Sequence, residues 1–80
     1  MKKYTTIFVY SSAPDLKRDR KRTIRAATDR KALEKAQQLL FALRKNGTEP
    51  WWELQTLTDE ENYVIYFLDH NGSPIARPRE

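Results

Sequence analysis

The sequence predicts an α+β domain of two layers: a four-stranded antiparallel sheet with one helix packed across one face, in the order ββαββ. Three observations predict it. One stretch, TDRKALEKAQQLLFALRKNG (residues 28–47), has a helical period. Two pairs of segments rich in β-branched and aromatic residues flank it, one pair on each side. Short polar stretches with turn chemistry separate the members of each pair.

Taken in order, residues 4–11 (YTTIFVYS) form the first strand, with Ile7 and Val9 on one side and Phe8 and Tyr10 on the other. A turn opens at Ser12-Ala13-Pro14-Asp15, and the hexapeptide KRDRKR (17–22) occupies the bend into the second strand, residues 22–28. In that strand Ile24 and Ala26 face inward, Thr23 and Arg25 outward.

The helix follows over residues 29–45. Ala32, Leu33, Ala36, Leu39, Leu40 and Leu43 recur at spacings of three and four and form one apolar stripe. Thr28 or Asp29 can cap its first turn. Arg44 and Lys45 suit the negative end of the helix dipole, Asn46-Gly47 suits a left-handed stop, and Pro50 follows. Phe41 lies off the stripe, among Glu34, Gln37, Gln38 and Lys45.

Residues 50–58 (PWWELQTLT) form the third strand and 63–69 (YVIYFLD) the fourth, joined by the polar turn Asp59-Glu60-Glu61-Asn62. His70-Asn71-Gly72-Ser73 is another turn. Residues 74–77 can add a short edge strand, and the tail RPRE reads as frayed. Strands one and four are apolar on both sides, whereas one helix covers only one side of a sheet. A face bearing apolar and aromatic groups is therefore expected to lie uncovered, as a binding platform or as the interface of a homodimer.

Eighty residues at 39% hydrophobic content make a single domain (1–80) with a thin core. There is no cysteine, which excludes disulfides, cysteine nucleophiles and cysteine zinc sites and fits a reducing cytoplasm. The apolar run 7–10 is too short for a signal peptide, and no run reaches membrane-spanning length. The net charge of +4 is unevenly spread: residues 1–48 hold thirteen Lys/Arg against four Asp/Glu, and residues 49–80 hold two against seven. One basic and one acidic region are expected.

Candidate chemistry is sparse. The single histidine, His70, sits in a turn, and no serine, cysteine or second histidine stands at a catalytic spacing. Asp59, Glu60 and Glu61 lack the alternation and central glycine of a calcium loop. No phosphate-binding glycine pattern occurs. The sequence therefore points to a non-enzymatic protein with no cofactor and no metal. Lys17, Arg18, Arg20, Lys21, Arg22 and Arg25 form a basic cluster suited to phosphates or to an acidic protein surface. Phe41 and one of the adjacent tryptophans, Trp52, are the expected apolar anchors beside it. A direct DNA- or RNA-binding protein, using the basic loop over 17–25 and stacking bases on the open sheet, is the alternative.

The order of elements, from YTTIFVYS through TDRKALEKAQQLLFALRKNG to YVIYFLD, resembles the ββαββ type of anti-CRISPR protein. So do the size, the lack of cysteine and the lack of a catalytic motif. These are small proteins of bacterial viruses that inhibit a CRISPR effector complex by binding it. The resemblance implies a stoichiometric inhibitor without a cofactor, acting in the host cytoplasm on a protein or ribonucleoprotein. Many such inhibitors are acidic DNA mimics. A chain of charge +4 departs from that group, so the resemblance implies contact with acidic protein, guide RNA or DNA.

Overall fold

The helix starts where the sequence places a capping residue. Thr28 is extended, and its hydroxyl accepts a hydrogen bond from the Lys31 amide at 3.2 Å. Helix α1 then runs Asp29–Leu43, two residues shorter than the spacing predicts. Arg44 ends it, and a single 3-10 turn follows over Lys45–Gly47. Lys45, Asn46 and Gly47 all have positive φ (47°, 56° and 90°), so the left-handed stop spans three residues rather than two. Arg44 does not merely complement the helix dipole: its Nε donates to the Trp52 carbonyl at 3.0 Å and ties the helix end to the sheet. Replacing Thr28 by Ala removes the cap and is expected to lower stability by about 1 kcal/mol, measured by urea unfolding.

The computed structural model describes residues 1–10 and 19–79. Five strands accompany the helix: β1 Lys2–Tyr10, β2 Arg20–Ala26, β3 Trp52–Asp59, β4 Val64–Leu68 and β5 Pro74–Ala76. All pairings are antiparallel, in the spatial order β2-β1-β3-β4-β5. The sheet thus has five strands, not four, and the chain order is ββαβββ, because the short edge strand expected over 74–77 forms at Pro74–Ala76 and pairs with β4. Asp69 makes this closure possible: its carboxylate accepts from the Asn71 and Ser73 amides at 2.8 and 2.9 Å, folding the turn in which Gly72 takes φ 79°. No helix among the described residues is long and apolar enough to cross a membrane.

The core lies between the sheet and α1. Ala32 and Ala36, both fully buried, let the helix approach closely, while Leu33, Leu39, Leu40 and Leu43 pack around them. From the sheet come Tyr4, Phe8, Ala26, Trp52, Leu54, Leu57 and Ile65. This settles the side of β1 that the sequence leaves open: Phe8 and Tyr10 turn toward the helix, Ile7 and Val9 away.

Two bulges break the alternation of the central strands. Ile7 pairs with Thr56 but Phe8 with Leu54, leaving Gln55 as an extra residue in β3. Leu57 pairs with Tyr66 but Thr58 with Val64, leaving Ile65 extra in β4. A bulge lets positions three apart share one face. Leu54 and Leu57 are both buried as a result, and Val64 and Phe67 share the opposite face.

Candidate binding surface

Two sites emerge from this arrangement, one structural and one available to a partner. The first is built around Asp29, the opening residue of α1. Its side chain is fully buried. One carboxylate oxygen accepts from the Tyr4 hydroxyl at 2.9 Å and from Arg79 Nη2 at 3.1 Å. The other accepts from the Arg79 amide at 3.0 Å and from its Nε at 2.7 Å. Arg79 Nη2 also reaches the Asp59 carboxylate at 2.6 Å, and the guanidinium lies 4.2 Å from the centre of the Tyr63 ring.

The Arg79 guanidinium bonded to Asp29 holds its carboxyl far below the ordinary 3.8. Burial opposes this, and the Arg79 amide and Tyr4 hydroxyl reinforce it. For Asp59, burial is the largest influence and pushes upward. The amides of Tyr63 and Glu61 and the Arg79 side chain outweigh it, so its carboxyl is lowered as well. Arg79 is raised in turn by its bonds to Asp29 and Asp59. A carboxylate already engaged by four donors serves as an anchor. It joins β1, the helix start, the end of β3 and the C-terminal segment. The tail is therefore docked, not frayed as its composition suggests, and Asp29 is a clasp rather than a cap.

The second site is the sheet face opposite α1. Cross-strand register arranges it in rows. Lys21, Ile7, Thr56, Phe67 and Ile75 form one row across all five strands. Thr23, Thr5, Thr58 and Val64 form the next, and Arg25 and Lys3 the next. Beside the first row stand Val9 and its partner Glu53. Ile7, Val9, Phe67 and Ile75 are only half-buried, and Val64 is 38% exposed. The centre is thus threonine and aliphatic, and cations border it: Lys3, Lys21 and Arg25 on one flank and Arg77 on the other. The Arg77 guanidinium lies over the Phe67 ring, 5.3 Å from its centre.

The residues singled out from sequence fall on different sides of the molecule. Lys17 and Arg18 lie outside the described residues. Arg20 and Lys21 are not in the bend but on the edge strand β2, which starts two residues earlier than the sequence suggests and also carries Arg22 and Arg25; successive side chains alternate along it. Lys21 and Arg25 share the open face. Arg20 and Arg22 stand on the helix side, where Arg22 lines a hollow with Phe8, Leu39, Ala42 and Leu43. Lysines and arginines on an edge strand also discourage pairing with other chains.

Phe41 is 69% exposed on the outer side of α1, across the domain from the open face. Trp52 is not a surface anchor: it is 2% exposed in the core, and its ring meets Tyr10 edge-on at 5.1 Å. The exposed tryptophan is Trp51, at 45%. The aromatic platform expected for base stacking is also reduced, because Tyr4, Phe8, Tyr10 and Trp52 turn inward and Phe67 is the phenylalanine left on the open face.

Sequence reasoning missed Arg77, Arg79 and the row through Phe67. The signal for the row was Leu54 and Leu57, three apart in a strand, which only a bulge can bury together. Among the described residues no group of three His, Cys, Asp or Glu is placed to hold a metal ion. Glu60 instead accepts from the Lys3 amide at 2.8 Å. No protein-family model, no curated protein and no solved structure matches the chain.

Proposed function

We propose that this chain is a non-catalytic binding protein that inhibits an RNA-guided CRISPR effector by seating its open sheet face on an acidic protein surface of that complex. The observation that carries the surface is the row Lys21–Ile7–Thr56–Phe67–Ile75, whose last four members are half-buried, with Lys21 at one end and the Arg77 guanidinium over Phe67 near the other. The kind of target comes from the resemblance stated for the sequence, in size, lack of cysteine and the order ββαββ, to which this fold adds a fifth strand. The domain measures 34 × 26 × 17 Å along its principal axes. Its broadest side is of the order of the roughly 800 Å² each partner contributes to a standard interface. Self-association would set Lys3, Lys21, Arg25 and Arg77 of one copy among those of the other, with Glu53 the carboxylate in these rows. An acidic partner removes that repulsion.

The test adds the purified protein to a panel of RNA-guided effector complexes and follows target-DNA cleavage. Near-stoichiometric loss of cleavage is expected with at least one of them. Ile7→Lys should weaken inhibition at least tenfold, and Phe41→Ala should leave it unchanged. Titration of labelled single- and double-stranded DNA and RNA, followed by anisotropy at about 50 and 200 mM salt, supplies the competing outcome. Tight binding of free nucleic acid that collapses between those concentrations, with no effector inhibited, would overturn the reading in favour of direct nucleic-acid binding.

A further inference from the structure

Two arginines two residues apart both lie over aromatic rings, and one of them is neutralised. Arg79, over Tyr63, bonds Asp29 and Asp59. Arg77, over Phe67, has no carboxylate partner among the described residues and is exposed. Its backbone is nevertheless fixed on both sides. The Arg77 amide donates to the Ile65 carbonyl at 2.6 Å, and its carbonyl accepts from the Tyr63 hydroxyl at 3.0 Å. The guanidinium stands at the rim of a shallow hollow of about 520 Å³ lined by Thr56, Asn62, Tyr63, Val64 and Phe67. A guanidinium lying over a ring can keep its edge donors free for a second partner.

We infer that Arg77 is the carboxylate-reading anchor of the open face. It takes an Asp or Glu side chain of an acidic protein partner while the hollow takes an apolar neighbour of that carboxylate. This rests on the binding reading above and names the chemistry at its centre. Protein is favoured over nucleic acid because the hollow is walled by Val64, Phe67 and the Tyr63 ring, which suit an aliphatic or aromatic side chain. The other open-face cations are Lys21 and Arg25 on the opposite edge strand, four strand spacings or roughly 19 Å away, and Lys3 on β1, three spacings or roughly 14 Å away, so no continuous phosphate track passes Arg77.

The probe is 3-phenylpropionate, a carboxylate beside an apolar ring, titrated into the 15N-labelled protein. Saturable shifts are expected at the Val64, Phe67 and Arg77 amides and at Arg77 Nε, with a Kd on the order of 1–10 mM. The neutral amide, 3-phenylpropanamide, should bind at least tenfold more weakly. Arg77→Gln should abolish the shifts, and Arg77→Lys should weaken binding about fivefold or more, since it keeps the charge but loses the planar fork. Dispersed spectra of both variants establish that they fold.

Equal binding of the amide, shifts confined to other residues, or no saturable shift would overturn the assignment. So would phenyl phosphate binding tenfold tighter than the carboxylate, which would point to nucleic acid. The two readings fail separately. If an effector is inhibited by the wild type and undiminished by Arg77→Gln, the anchor is wrong and the binding reading stands. If no effector is inhibited but the carboxylate binds as described, the target is wrong and the anchor stands.

Discussion

Replacing Asp29 by Ala is expected to destabilise the protein by about 3 kcal/mol, the lower end for losing one member of a buried ion pair, because Arg79 remains partly exposed and keeps Asp59. Three effects combine. Arg79 loses most of its ionic contact, the Tyr4 hydroxyl loses its buried acceptor, and the helix start is no longer fastened to the C-terminal segment. Against a typical small-domain stability of about 5–15 kcal/mol this is a large fraction. Urea unfolding at pH 7 measures it through the midpoint.

The same pair gives stability a pH dependence of defined sign. The Asp29 carboxyl titrates lower in the folded protein than in the unfolded chain, so the folded state binds fewer protons. Its contribution is complete at pH 7, begins to decline as pH approaches the ordinary value of 3.8, and keeps falling toward the lower folded value. The lowered Asp59 acts in the same direction. The stability gap between wild type and Asp29→Ala should therefore narrow between pH 5 and pH 2. A gap that stays constant over that range would mean that Asp29 is not held ionised by Arg79.

Trp52→Ala is expected to cost about 4 kcal/mol, within the range for emptying a large aromatic site in a core. Its ring is 2% exposed and packs edge-on against Tyr10. Trp51→Ala, one residue away, should cost no more than about 1 kcal/mol, because that ring is already 45% in solvent. Urea unfolding of both variants makes the comparison internal. Equal losses would mean that the N-terminal end of β3 is not seated as described. A selective loss at Trp52 also removes it from consideration as a partner anchor, since a ring under the helix is out of reach of any partner until the domain opens.

The helix was legible in the sequence because its signal is local and redundant: six apolar positions agree on one stripe, and Thr28 and Asn46-Gly47 bracket them. The Asn71-Gly72 turn was legible for the same reason. The faces of the strands were not. In β1 both sides are apolar, and only the position of the helix chooses Phe8 over Ile7. In β3 and β4 single extra residues, Gln55 and Ile65, shift the alternation midway, so no strict period of two assigns both ends. The basic cluster looked like one loop because charges adjacent in sequence cannot show that a strand sends them to opposite sides. The clasp was hidden more deeply. An aspartate opening a helix looks the same whether it caps the first turn or binds an arginine fifty residues on, and Arg79 sits in a stretch whose composition resembles a loose end.

The strand order has a kinetic consequence. The outer pairings β1–β2, β3–β4 and β4–β5 are hairpins between chain neighbours, but the centre of the sheet is β1 against β3, where Tyr4 meets Asp59 across the whole helix. Loop closure over that span must come before the central pairing yields any return, and rates fall as contacts become less local. The β1–β3 pairing is thus the least local step in building the sheet, and it is expected to form later than the hairpins. A chain in which that pairing has not yet formed leaves the inner edges of β1 and β3 unpaired, and these edges lack the run of cations that guards β2.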